Sequence, residues 1–246
     1  NRAIDAAARA GRWADVADLL GRARKAWGSA EMPPEALYLA AKAAFARDDL
    51  PSAKRDREAL AALAAVPAPF HVAAAYLRGA LLVRAGDRDG AVHEFQACDR
   101  LLSSDKRQRD QREMCWLALA RLHGDATNWS EASYWYGQIP RESPRYAEAL
   151  YEAAWTRARA GLHEEGLRNV DAIPAPDPDS PLAPQLDLLR GRLLTSARRH
   201  AEAGAAFERV RRRCVPLRDE LDALLGSERE PSRYLARLAA GGTGPE

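Results

Sequence analysis

One pattern of small and apolar positions returns along the chain. It is a small or turn-forming residue, a bulky residue two places on, a small residue three later and an apolar residue four after that. Gly11, Trp13, Val16 and Leu20 give one copy, and Gly86, Arg88, Ala91 and Phe95 another. Trp129, Ala132 and Tyr136, then Gly161, His163, Gly166 and Val170, then His200, Ala203 and Phe207 follow. Asp48, Leu50, Ala53 and Arg57 form a degenerate copy. The bulky positions 13, 50, 88, 129, 163 and 200 are spaced by 37, 38, 41, 34 and 37 residues, which marks an internal repeat. Prolines stand near the ends of the units, at Pro67, Pro69, Pro140, Pro174, Pro176 and Pro216. Proline is excluded from a helix interior but tolerated in a first turn. Each unit therefore reads as helix, tight turn, helix, then a proline-marked break.

Packing explains the pattern. Two antiparallel helices joined by a short turn approach closely, so small residues are expected where they cross. Gly79 and Gly191 hold matching places in the first helices of units three and six, and Ala41, Ala120 and Ala154 hold that place in units two, four and five. Phe95, Tyr136 and Phe207 are expected to fill the gap to the next unit. One helix pair cannot bury its apolar face alone, so stacked neighbours complete the core.

Composition agrees. Hydrophobic residues make up 47% of the 246 and charged residues 29%, enough for a core and a solvated exterior. Alanine dominates the apolar share and loses no side-chain entropy in a helix. A net charge of +2, from 37 basic and 35 acidic residues, lacks the excess a dedicated nucleic-acid binder uses to release counterions. No apolar run approaches the length of a membrane-spanning helix. The first residue is Asn1 rather than Met, so the chain is expected to be a fragment or processed form, with any signal or anchor upstream of it.

The helix-turn-helix units resemble the tetratricopeptide repeat family over roughly Ile4 to Pro216. Unit four carries the resemblance best: Trp116, Leu119, Ala120, His123, Trp129, Ala132 and Tyr136 fall where that family places its large-small-aromatic signature. Arg57 stands where an aromatic is usual, Gly166 where alanine is usual, and three units run a few residues long. The resemblance implies an all-α, right-handed solenoid of about six repeats, closed by a C-terminal helical cap read at Leu217–Leu225 and Pro231–Ala239. One solenoid is expected over residues 1–240, with an extended connection and joint at 174–184 (PAPDPDSPLAP) and a disordered tail at 241–246.

In this family the first helix of each unit lines a concave groove, and helical spacing then selects the inward residues. They are Tyr38, Lys42 and Phe45 in unit two, Tyr76, Val83 and Arg84 in unit three, and Met114, Leu117 and Arg121 in unit four. Unit five offers Tyr151, Trp155 and Arg159, and unit six Leu188 and Arg192. Aromatics interleaved with cations suit a protein or peptide partner bearing acidic and apolar side chains. The plainer reading packs the aromatics between helices and leaves the arginines to water.

Other constellations carry less. Arg209, Arg211, Arg212 and Arg213, and Lys106, Arg107, Arg109 and Arg112, read as solvated helix faces beside local acids rather than nucleic-acid or membrane patches. Cys98 and Cys115 fall on adjacent helices, either as two buried thiols or as a disulfide, and Cys214 has no obvious partner. A metal shared by His163 and His200 would need further ligands, and a full period separates the two, so they read as turn packing. No cofactor motif, phosphate loop or catalytic dyad is found, so no catalysis and no cofactor are expected.

The segments at 139–155 and 207–225 resemble repeat proteins of the cell envelope in gliding and predatory proteobacteria. That implies a periplasmic or outer-membrane-associated scaffold in a motility or secretion assembly. The alternative is a cytoplasmic sensor arm of a larger signalling or transcriptional regulator. The oligomeric state is open.

Overall fold

The computed structural model describes residues 2–27, 32–46, 52–67, 70–101, 106–173 and 182–227; the side chains at 27, 52–54, 106–107 and 224–227 lie outside that description. All regular structure among them is helical. The helices are α1 (Arg2–Arg9), α2 (Trp13–Trp27), α3 (Pro34–Ala46), α4 (Ser52–Ala64), α5 (His71–Ala85), α6 (Arg88–Arg100), α7 (Lys106–Asp125), α8 (Trp129–Gly137), α9 (Tyr146–Arg159), α10 (His163–Ala172), α11 (Leu182–Ser196) and α12 (His200–Ser227). Consecutive helices pair, α1 with α2, α3 with α4, α5 with α6, α7 with α8, and α11 with α12. The chain divides into two compact units, Asn1–Ala149 and Leu150–Glu246.

The sequence anchors are helix starts. Trp13, Arg88, Trp129, His163 and His200 are the first residues of α2, α6, α8, α10 and α12. The second repeat's turn, with Asp48 and Leu50, lies outside the described residues. The other five turns share one device. The residue two places before the second helix has positive φ: Gly11 at 69°, Gly86 at 80°, Thr127 at 59°, Gly161 at 77° and Arg198 at 62°. Its N–H donates to a carbonyl three residues back, as Gly86 does to Val83 at 3.0 Å. The next N–H donates five back: Arg12 to Ala7, Asp87 to Leu82, Asn128 to His123, Leu162 to Arg157 and Arg199 to Leu194, at 2.9–3.0 Å. These paired bonds satisfy the last carbonyls of the first helix and reverse the chain in the fewest residues. Asp87 then caps α6 by accepting the Gly90 N–H at 2.9 Å, and Asn128 caps α8 through the Glu131 N–H.

The expected crossings are tight, and Phe95 and Phe207, expected in the gap to the next unit, stand against the glycine of their own pair. A β-carbon on Gly79 would stand 2.5 Å from the ring of Phe95, and one on Gly191 would stand 2.5 Å from the ring of Phe207. Gly166 is explained the same way, since a β-carbon there would meet Leu193 of α11 at 2.8 Å and the Ala154 carbonyl at 3.2 Å. Ala41, Ala120 and Ala154 are buried at their crossings.

Three expectations at element ends change. α11 begins at Leu182, so residues 182–184 are helical rather than extended; Pro184 sits in the first turn, where no intrahelical partner for its nitrogen is needed. Pro216 does not end its unit. It lies inside α12, which continues through 217–225 instead of restarting as a separate helix. A proline there removes one hydrogen bond, and the remaining turns carry the helix on. Residues 174–181 and Pro231–Ala239 fall outside the described residues.

Cys98 of α6 and Cys115 of α7 form a disulfide, with both residues fully buried, and Cys214 is free and exposed. The bond joins the second helix of one repeat to the first helix of the next.

Two outcomes test this account. Gly79→Ala should destabilise by about 1–3 kcal/mol through overpacking, exceeding the roughly 1 kcal/mol that alanine gains in helix propensity, because Phe95 is only 2% exposed. Gly191→Ala should stay within about 1 kcal/mol of the parent, because Phe207 is 39% exposed and its ring can move into solvent. Urea unfolding compares the two, and equal losses would sink the explanation. Replacing Cys98 and Cys115 by alanine should cost about 3 kcal/mol in the chain-entropy account for a sequence separation of 17, and thiol titration of the denatured parent should find a single free cysteine.

Candidate binding surfaces on the first helices

In the first unit, α3, α5 and α7 present the expected residues, and most are engaged with neighbours. Tyr38 stacks on Phe70 with ring centroids 5.0 Å apart. Lys42 Nζ lies 5.0 Å from the centroid of the Trp13 ring. The Arg84 guanidinium covers Phe45 at 4.9 Å and donates to Asp56 from Nε at 3.2 Å. Arg121 Nη2 donates to Glu148 at 2.7 Å. Met114 is half-buried, and Val83 is exposed. Leu117 belongs to the core, at 3% exposure, and offers no surface to a partner. The reason is that α7 packs against α5, α6 and α8, so its buried arc is wider than one groove-facing stripe allows.

Tyr76 is half-buried on this face. Its ring packs against Phe95 at 5.9 Å. Burial raises its pKa, while the positive charges of Arg121 and Arg145 oppose that rise, so the phenol stays protonated at neutral pH. Nearby, Glu113 is 9% exposed, accepts the Ser143 hydroxyl at 2.6 Å and lies 3.6 Å from Arg145. This ties the 139–145 connection to α7. The sequence reading missed Glu113 and Arg145. Their available signal was an acid leading directly into the apolar run at 114–120, and a polar pair in the short stretch after Pro140.

In the second unit, Tyr151, Trp155 and Arg159 lie on α9, and Leu188 and Arg192 on α11. The Arg192 guanidinium sits 5.2 Å from the Trp155 ring centroid. Arg192 has no carboxylate partner among the described residues, unlike Arg157 with Glu165, Arg190 with Asp171 and Arg209 with Asp187. Leu188, one turn before Arg192 and therefore on the same helix face, is 44% exposed. Arg159 is exposed and Tyr151 half-buried.

In the basic run at 209–213, Arg209, Arg211 and Arg212 are paired with acids. Arg209 donates twice to Asp187, at 2.7 and 2.9 Å. Arg211 and Arg212 both donate to Glu208, which holds that carboxyl down at about 2. Arg112 donates to the Leu101 carbonyl. Among the described residues, no cluster of three or more His, Cys, Asp or Glu is arranged to hold a metal ion. No helix among them is long and apolar enough to cross a membrane.

No family model matches the chain, and no curated protein matches it. Among solved structures it is similar to the C-terminal part of a TPR repeat-containing protein from Cytophaga hutchinsonii. The two are 13% identical, with a TM-score of 0.66 over 87% of this chain and 79% of the other. The likeness is one of fold: all-α, with helices in sequential pairs as in tetratricopeptide arrays.

The Glu208 carboxyl should titrate at about 2 in a carbon-detected NMR titration, against about 4.3 for an unperturbed glutamate. Its folded pKa is depressed, so its contribution to stability is present above the unfolded value and disappears as pH falls through the folded one. Replacing Arg211 and Arg212 together by glutamine should return the midpoint toward the ordinary value. A parent midpoint near 4 would mean that the ion pairs are not populated.

Proposed function

We propose that the protein is an interaction scaffold that holds an extended partner segment, acidic and apolar in character, against the exposed faces of its first helices. The observation that carries this reading is Arg192 lying over Trp155 with no carboxylate of its own among the described residues. A guanidinium against a ring keeps its outward N–H groups directed to solvent and can bind an incoming carboxylate bidentately. Trp155 beside it and Leu188 one turn away provide apolar area next to that charge. Tryptophan and arginine are the side chains most enriched among residues that dominate binding energy. Tyr38, Lys42, Tyr76, Arg84, Met114 and Arg121 would play the corresponding part in the first unit, where a partner acid competes with Asp56 and Glu148 for the cations.

The cellular setting in this reading is the bacterial envelope, in a periplasmic or outer-membrane-associated assembly such as one for motility or secretion. The Cys98–Cys115 disulfide supports it, because such bonds persist in oxidising compartments and are rare in a reducing cytosol.

Trp155→Ala should weaken capture of an acidic-apolar peptide selected on the parent protein by about 10- to 100-fold. Arg192→Glu, which reverses the charge, should abolish it, with helicity by circular dichroism unchanged in both. Unaltered affinity would place binding elsewhere. Finding Cys98 and Cys115 reduced when thiols are trapped in intact native cells would remove the envelope setting.

A further inference from the structure

α12 is 28 residues long and its partner α11 only 15. Phe207 stands against Gly191, and the two helices run antiparallel, so the first residue of α11, Leu182, is level with Pro216. Beyond that point α12 extends past its partner.

An apolar stripe runs from the part of α12 level with α11 into the overhang, where Leu217 and Leu221 lie. Phe207, Val210, Cys214, Leu217 and Leu221 follow alternating steps of three and four, the seam spacing of a two-helix coiled coil. Phe207 is 39%, Leu217 56% and Leu221 51% exposed, and Cys214 is exposed as well. Pro216 lies off this stripe. Such a face left to water is an aggregation hazard unless something covers it.

The charges beside the seam identify the cover. On one flank, Arg211 is bound by Glu208 at 2.7 and 2.8 Å, and Arg218 by Asp219 at 2.7 Å, so both are neutralised within their own helix. On the other flank stand Arg213 and Glu220, one heptad apart and opposite in sign; neither has an ion-pair partner among the described residues. The seam is symmetric in spacing about its centre. An antiparallel second copy therefore sets Cys214 against Leu217 and Val210 against Leu221, and the same register brings Arg213 of each copy to Glu220 of the other. A parallel pair would instead press Arg213 against Arg218.

We propose that the apolar stripe along the C-terminal half of α12 is a homodimer interface, in which two copies pair antiparallel about a two-fold axis between Cys214 and Leu217. The contact is isologous, the commonest way for a chain to use a self-complementary surface. It is independent of the Trp155–Arg192 face.

Sedimentation of the full chain between about 1 and 100 µM should show a monomer–dimer equilibrium. Leu217→Lys with Leu221→Lys, both at exposed positions, should weaken it by at least about 100-fold while leaving helicity unchanged. Arg213→Glu alone should weaken it, and adding Glu220→Arg should restore it, because the swapped pair is again self-complementary. Leu217→Cys should give a disulfide-linked dimer through Cys214 of the second copy. A parent that stays monomeric overturns the proposal, whether Cys214 reacts freely with a maleimide or is shielded by another part of the chain. A dimer that survives the double lysine variant, or whose charge reversal is not rescued by the swap, overturns it too.

Discussion

Each helix pair has to fill one crossing with two side chains, and most of the molecule follows from how that volume is shared. In the five pairs whose second helix starts at its sequence anchor, the two residues stand nine before and seven after that start. Where the second is phenylalanine, as at Phe95 and Phe207, the first is glycine, and an added methyl group would overlap the ring. Where it is Tyr136 or Val170, the first is alanine, at Ala120 and Ala154, and all four are buried. Interiors packed to crystal density leave no slack for both partners to be large at so close an approach. Ile4 with Leu20 is the exception, with two branched side chains. The second repeat departs differently: Arg57 is exposed, and Ala59 and Leu63 fill the space against Ala41 instead.

That sharing can be maintained only if every turn returns the chain at the same register. The left-handed residue two places before each second helix does this in the five described turns. Glycine serves in three of them without strain. Thr127 and Arg198 adopt the same conformation at a cost of about 1–2 kcal/mol. That two residues unsuited to this backbone still adopt it shows that packing, not local preference, dictates the turn. The anchors were legible in the sequence for this reason: they report a tertiary constraint that recurs in the five described turns, and repetition raises it above the noise of single propensities. Pro216 was misread because its meaning is local. A proline marks a break only where the helix has no other support, and α12 has turns enough on either side to absorb one lost hydrogen bond.

Side-chain pairing was less legible, because it depends on neighbours that a single helix does not reveal. Spacing placed Leu117 on the inner stripe, yet α7 has packed helices on several sides and takes Leu117 into the core. Spacing also gave Lys42, Arg84 and Arg121 as cations on that stripe, but not that they rest on Trp13, Phe45 and Asp56, and Glu148. The difference between an engaged arginine and an available one separates a solvated surface from a binding surface, and it appears only in three dimensions. The disulfide was open in the sequence for a related reason. Spacing put Cys98 and Cys115 on successive helices, while the bond depends on both side chains turning into the same buried layer.

The residues proposed to bind sit on rows that the crossing leaves free. Tyr38, Tyr76, Tyr151 and Leu188 stand twelve before the second-helix anchor, and Lys42, Arg121, Trp155 and Arg192 stand eight before it. Twelve and eight differ by about one helical turn, so the two rows share a face. The crossing residue, nine before the anchor, points about 100° away from the nearer row, since each residue turns the helix by that much. Volume is therefore locked on one face and open on the other. A substitution from lysine to tryptophan along the eight-before row changes what the surface can hold without touching the contact that fixes the repeat. This separation lets a chain with a near-constant core carry a different side chain at each step of its exposed face, and it concentrates the chemistry of recognition in the few positions, such as Trp155 and Arg192, where adjacent first helices place a ring and a cation against each other.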